Sequence, residues 1–293
     1  MSGWNERPVV LRCGDQRLVA VLHHASRSDV GVLIVVGGPQ YRVGSHRQFV
    51  LMARDIAAAG FPVFRFDHRG MGDSEGGART FDQISDDIQV ATDAFLTSAP
   101  TVRRVVLWGL CDAASACLMY AQQDARVHGA VIANPWVYSE SGAATAYIKH
   151  YYAQRFLQRA FWQKLLKGQL NIRASLGDFI RKLARSVDSP STTELHGQFS
   201  FVDRMRLGLE RFEKPVLLLM SGNDLTAQEF RGLCERSTEW QRLLCRATHQ
   251  TVELPTADHT FSARDSLREA TRECLQWLRQ RYGDHAVQKP SVG

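Results

Sequence analysis

No run of about 18 uninterrupted apolar residues occurs in the 293-residue chain, so a helical membrane span is not expected. The opening MSGWNERPVV has no basic region followed by an apolar one, the pattern of a secretory leader, and the protein is expected to be cytoplasmic. Cysteine is sparse. Cys13, Cys111, Cys117, Cys234, Cys245 and Cys274 show no C-x-x-C spacing, which predicts reduced thiols with no disulfide framework and no zinc site. Neither a metal-ligand cluster nor a dinucleotide fingerprint is present, so no cofactor is expected. Internal repeats and low-complexity tracts are missing as well. At this length the remaining expectation is one α/β core with an insertion.

Negative charge is scarce in one segment. Between Thr145 and Arg211 there are twelve Lys or Arg against five Asp or Glu, so most of the net charge of +6 lies there. Such a segment can bind nucleic acid, but no nucleic-acid motif accompanies it, and no nucleic-acid partner is expected. Aromatic residues interleave with these charges at Trp136, Tyr138, Tyr147, Tyr151, Tyr152, Phe156, Phe161 and Trp162. The pattern reads either as a solvated face above an apolar one or as a lid for an acyl or lipid-linked substrate, with peripheral membrane contact through the basic residues.

Apolar runs and breakers place the elements. Val9–Cys13 and Arg17–His23 read as two strands around the turn Gly14-Asp15-Gln16. Gly31–Val36 is a continuous apolar run, the pattern of a strand covered on both faces. A helix over Arg47–Ala59 and a strand over Phe61–Phe66 follow. Thr80 with Gln83 has capping-box spacing and opens a helix to Ser98. Val105–Met119 reads as strand, turn and helix, followed by a strand over Val127–Ala133. Alternation then stops. Helical patches over 135–209 predict a helical cap inserted between the two parts of the core, 1–134 and 210–283. The core resumes with a strand over Pro215–Gly222, a helix over Ala227–Cys245, a short strand over Thr251–Pro255 and a helix over Ala263–Tyr282 capped by Ser262. Residues 284–293 are expected to be a disordered tail. This order predicts a doubly wound, mostly parallel sheet with its site beyond the C-terminal strand ends.

The informative residues lie on those loops. Gly109-Leu110-Cys111-Asp112-Ala113 has the layout of a nucleophile elbow, with small residues flanking a thiol at the first turn of a helix. A thiol nucleophile needs a base and an orienter for that base. His259, between a strand and the last helix, is the candidate base. Asp224, after the strand ending at Gly222, is the candidate orienter, with Asp258 as its competitor. An oxyanion site needs two N–H donors. The backbone of Asp112 supplies one, and Gly38 or Gln40 supplies the other, Gln40 being preferred because Pro39 has no N–H and fixes the turn ahead of it. Tyr41, Arg42, His46 and Trp136 lie on loops near the expected site and are candidates for substrate binding, as are His68 and Arg69. Ser74, Ser115 and Cys117 read as structural.

The turn Asp67-His68-Arg69-Gly70-Met71-Gly72-Asp73-Ser74 is similar to the D-x-R-G-x-G-x-S loop of the α/β-hydrolase superfamily. With the elbow, the SGND loop and the ADHTF loop, four motifs stand in that superfamily's order across Val30–Tyr282. More narrowly, GGPQYRVGSHRQF with WGLCDAASA resembles the exosortase A system-associated hydrolase 1 family, which implies an α/β-hydrolase fold and hydrolase chemistry without a defined substrate. The departures from the commoner elbow are Cys for Ser and Ala for the last Gly; a Cys nucleophile also occurs in dienelactone hydrolases. The expectation is a hydrolase of esters or thioesters, acting through a Cys111–His259–Asp224 triad on a small acyl substrate, lipid- or carbohydrate-linked. The alternatives are an acyltransferase with the same triad and a non-catalytic scaffold that retains the fold.

Overall fold

A computed structural model of the chain describes residues 5–25, 28–38, 40–137 and 200–283. The apolar runs become β1 (Glu6–Cys13), β2 (Gln16–His23), β3 (Val30–Val35), β4 (Val63–Phe66), β5 (Arg104–Leu110), β6 (Val127–Ala133), β7 (Val216–Asn223) and β8 (His249–Asp258). All eight form one sheet in the order β1-β2-β4-β3-β5-β6-β7-β8. β1 and β2 make the expected hairpin and β2 runs antiparallel to β4, whereas every pair from β4 to β8 is parallel.

Parallel neighbours require crossovers, and the helices supply them. They are α1 (Gln48–Ala58), α2 (Ser85–Ser98), α3 (Asp112–Tyr120), α4 (Phe201–Arg211), α5 (Leu225–Arg236), α6 (Thr238–Leu244) and α7 (Arg264–Tyr282). The period of two along each strand divides its side chains between two helical layers. Leu33 and Val35 of β3, with Val105 and Leu107 of β5, join a core that includes Phe95 of α2 and Cys117 of α3. Val32 and Ile34, with Val106 and Trp108, join the opposite core with Met52 of α1 and Trp277 of α7. This explains why β3 and β5 carry almost no polar residue: both faces are covered, and each large side chain buried contributes about 1.5–3 kcal/mol.

Several local expectations are corrected. The single helix expected over Ala227–Cys245 is two, α5 and α6, because Ser237 is extended (φ −122°, ψ 116°) and its side chain accepts from the Trp240 amide, capping α6. The strand expected over Thr251–Pro255 extends to His249–Asp258 by pairing along β7. Thr80 does not cap a helix: its hydroxyl turns to Asp82, residues 81–83 form a 3₁₀ turn and α2 begins at Ser85. Ser262 does not cap α7 either. It bonds back to the Asp258 carboxylate, and Ala263 takes the N-cap position.

At the ends of the span expected to be a cap, residues 135–137 and 201–209 belong to the same compact unit as the sheet. Met205 and Leu209 of α4 are buried in the core that contains α3. Residues 138–199 and the expected tail, 284–293, lie outside the described residues. Among the described residues no helix is long and apolar enough to cross a membrane.

Candidate active site

Strained backbone among the described residues gathers at the C-terminal strand ends. Among the described residues, the non-glycine positions with positive φ are His46 and Arg47 after β3, Cys111 after β5, Asn134 after β6 and Phe261 after β8. Backbone held in sparsely populated regions costs on the order of 1–3 kcal/mol per residue, and this strain is concentrated on one edge of the sheet.

Cys111 stands at the sharpest of these turns, with φ 61° and ψ −125°, as the N-cap of α3. Its thiol is partly buried. The turn is possible because the chain folds back on itself at Gly109, where a Cβ would meet the Ala113 carbonyl oxygen at 2.6 Å. The backbone is fixed on both sides: the Cys111 amide donates to the Ala133 oxygen at 3.0 Å, and its carbonyl accepts from the Trp136 amide at 3.2 Å.

Asp224 caps α5, its two carboxylate oxygens accepting from the amides of Thr226 (3.1 Å) and Ala227 (3.2 Å). It is 5% exposed, and its Oδ2 lies 2.9 Å from Nδ1 of His259. The ring N–H is not aligned on that oxygen. Asp224 lies beside Nδ1, and the ring is also within reach of the Cys111 sulfur. Burial opposes a charged imidazole here, but the close contacts with Asp224 and Cys111 outweigh it and push the His259 pKa up to about 10. Asp258, the other candidate orienter, is spent on Ser262.

The loop after β3 departs from the expectation. The Gln40 amide turns back to the Gly37 oxygen at 3.4 Å, whereas Gly38 donates its N–H across to the elbow, onto Asp112 Oδ2 at 2.8 Å. Gly38 is therefore the amide of this loop that faces the nucleophile turn, and Pro39 lies outside the described residues. Arg42 is not free for a substrate. Its side chain pairs with Asp67 and with Asp73 (2.6 Å), clamping this loop to the glycine-rich turn after β4. Arg69 likewise makes a two-pronged pair with the buried Asp87. His68 is buried with Nδ1 against the Arg69 oxygen.

Tyr41, 44% exposed, and His46, also exposed, lie on the same loop. Trp136 stacks on Phe201 at 5.4 Å and meets Phe81 edge-on at 5.3 Å, an aromatic group tied to the elbow through the Trp136 backbone. The structural readings hold for Ser74, which bridges the Asp67 oxygen and the Val19 amide, and for Ser115, which donates to the Trp136 oxygen. Cys117 is fully buried, and burial raises its pKa. No group of three or more His, Cys, Asp or Glu is arranged to hold a metal among the described residues.

Sequence reasoning missed Asn134. Its Oδ1 accepts from the Ser221 amide at 2.8 Å, while its Nδ2 donates to Ser221 Oγ (2.9 Å) and to the His259 carbonyl (3.3 Å). Ser221 Oγ in turn donates to the Asp258 carbonyl at 3.0 Å. This buried bridge joins the ends of β6, β7 and β8 and holds the histidine loop. The available signal was the pair Asn134-Pro135 at a strand end, since asparagine tolerates positive φ and a following proline disfavours helix.

Among solved structures, the esterase Pf2001 of Pyrococcus furiosus superposes with a TM-score of 0.65 at 16% identity, covering 96% of this chain and 94% of that one. The α/β hydrolase GrgF from Penicillium sp. sh18 gives 0.62 at 16% identity, with coverage of 95% and 99%. Est1E from Butyrivibrio proteoclasticus, with ferulic acid bound, gives 0.57 at 14%, with coverage of 93% and 98%. At these identities the likeness establishes the α/β-hydrolase fold. A search of the curated proteins found no match. The narrower likeness to the exosortase-associated family is not among these findings, and this chain has a cysteine where a serine is the usual nucleophile. Residues 31–259, from the first strand of the parallel sheet to the candidate histidine, match the model of the family described as serine aminopeptidase, S33, and the chain belongs to that family.

Proposed function

We propose that this protein hydrolyses an activated acyl bond, an ester or a thioester, by covalent catalysis at Cys111. The observation that carries the reading is the His259 ring, 2.9 Å from Asp224 and within reach of the Cys111 sulfur at a strained elbow. The thiolate attacks the carbonyl carbon, and the tetrahedral oxyanion is met by the amides of Asp112 and Gly38. Its collapse breaks the bond to the leaving alcohol or thiol, which takes the proton from His259. Acylation removes the charge on sulfur, and with it one of the influences that hold the histidine pKa high. His259 then suits the opposite task, taking a proton from water as the water attacks the thioester. Cys111 leaves as thiolate and the carboxylic acid departs.

The reading is tested with p-nitrophenyl esters and acyl thioesters of graded length, following turnover and the intact mass of the protein. A mass increase of one acyl group, lost together with turnover in Cys111→Ala, is expected. Turnover that survives in Cys111→Ala contradicts it.

A further inference from the structure

One of the two amides expected to stabilise an oxyanion beside Cys111, that of Gly38, already holds a carboxyl group. It donates to Asp112 Oδ2 at 2.8 Å, and the neighbouring Ala113 amide donates to Oδ1 at 2.9 Å. An acidic residue in the first turn of a helix is ordinarily explained by the helix dipole. That explanation leaves out the Gly38 contact, which reaches across 74 residues of sequence from the loop after β3. The loop is also shaped around the side chain: a Cβ on Gly37 would lie 1.9 Å from Asp112 Oδ1 and 2.6 Å from the Ala113 nitrogen. A solvated carboxylate would need no such clearance. In charge and in acceptor geometry, a carboxylate on these donors imitates the oxyanion that acyl transfer generates.

We propose that Asp112 is a specificity-determining gate: its carboxylate fills the oxyanion hole of the free protein, and an acyl substrate enters productively when its remaining contacts outweigh the hydrogen bonds it displaces. The inference rests on the acyl-hydrolase reading above. Binding energy from the non-reacting part of a substrate drives rearrangement at the reacting centre, so the gate discriminates against small esters that have little else to bind. Burial acts in the same direction. It raises the Asp112 pKa against the pull of the Gly38 and Ala113 amides and of His68, so the charged group is held at some cost where it lies.

The test compares wild type, Asp112→Asn and Asp112→Ala in two reactions at Cys111, acylation by p-nitrophenyl acetate and alkylation by iodoacetamide. Alkylation needs the thiolate but no oxyanion hole, so the ratio of the two rate constants isolates the hole and cancels changes in thiolate content. Freeing the donors in Asp112→Ala is expected to raise the ratio by about tenfold or more, within the range that one oxyanion donor typically controls. Asp112→Asn keeps an acceptor oxygen without the charge, is expected to raise the ratio less, and serves if the alanine variant does not fold. A ratio unchanged or lowered in the variants that fold, with Cys111 still acylated, overturns the gate and leaves the hydrolase reading standing. If no protein is acylated by p-nitrophenyl acetate or by the longer esters and thioesters, although each is alkylated at Cys111, the hydrolase reading falls and the gate with it.

Discussion

His259 draws its chemistry from two neighbours supplied by different strand ends, and each can be removed separately. Asp224→Asn keeps a good N-cap for α5 but removes the carboxylate beside Nδ1, so the fold should survive while kcat falls on the order of 10³- to 10⁴-fold, as read from steady-state kinetics on the best ester found. The same pair has a pH signature. The His259 pKa is raised from an ordinary 6.5 to about 10, so the stabilisation it gives the folded state is fully present below 6.5 and is lost as pH rises through about 10. Melting curves of wild type and Asp224→Asn should differ at pH 6 and converge above pH 10. A difference that stays constant to pH 11 would contradict the charged pair. Replacing Cys111 with serine removes the sulfur that helps to raise the His259 pKa, so NMR titration of the ring should show that pKa lower than in wild type.

The strand-to-helix junctions set where these side chains stand. At the β5–α3 elbow, Gly109→Ala would drive a Cβ to 2.6 Å from the Ala113 oxygen, which is backbone and has nowhere to go. The expected cost is about 3 kcal/mol, measured by urea denaturation, with loss of Cys111 acylation in the protein that remains folded. At the ends of β6, β7 and β8, Asn134→Ala removes three hydrogen bonds and strands the buried Ser221 amide. The expected destabilisation is about 1–3 kcal/mol, accompanied by a fall in kcat because the His259 loop loses its tie. An Asn134→Ala protein with wild-type kcat would show that β8 positions the histidine unaided.

The two cores make the sheet a shared floor, so damage far from the site can still reach it. Trp277 of α7 is fully buried against the face that also holds Trp108 of β5. Trp277→Ala is expected to cost about 3–5 kcal/mol, a large part of the roughly 5–15 kcal/mol that holds a domain folded. Equilibrium unfolding measures this directly. Variants that remain folded should keep Cys111 reactivity, because no atom of Trp277 belongs to the site.

Much of this architecture is legible in the amino-acid order. Buried strands between two helical layers must be apolar on both faces, so the runs at β3, β5 and β7 announce a parallel sheet before any coordinates are known. Cys111, Asp224 and His259 each follow a strand, and the strand ends of such a sheet converge on one edge. What the order of residues does not contain is the direction of a particular amide or carboxylate. Whether Gly38 or Gln40 faces the elbow depends on loop dihedrals and on Asp112, 74 positions from Gly38. The freedom of Arg42 was decided by Asp67 and Asp73 from another loop, and the bridge through Asn134 needed three strand ends side by side. Periodicity reports which face of an element is buried, because burial acts on many residues at once. A hydrogen bond between loops is a single contact across the fold, and only the tertiary structure decides where it forms.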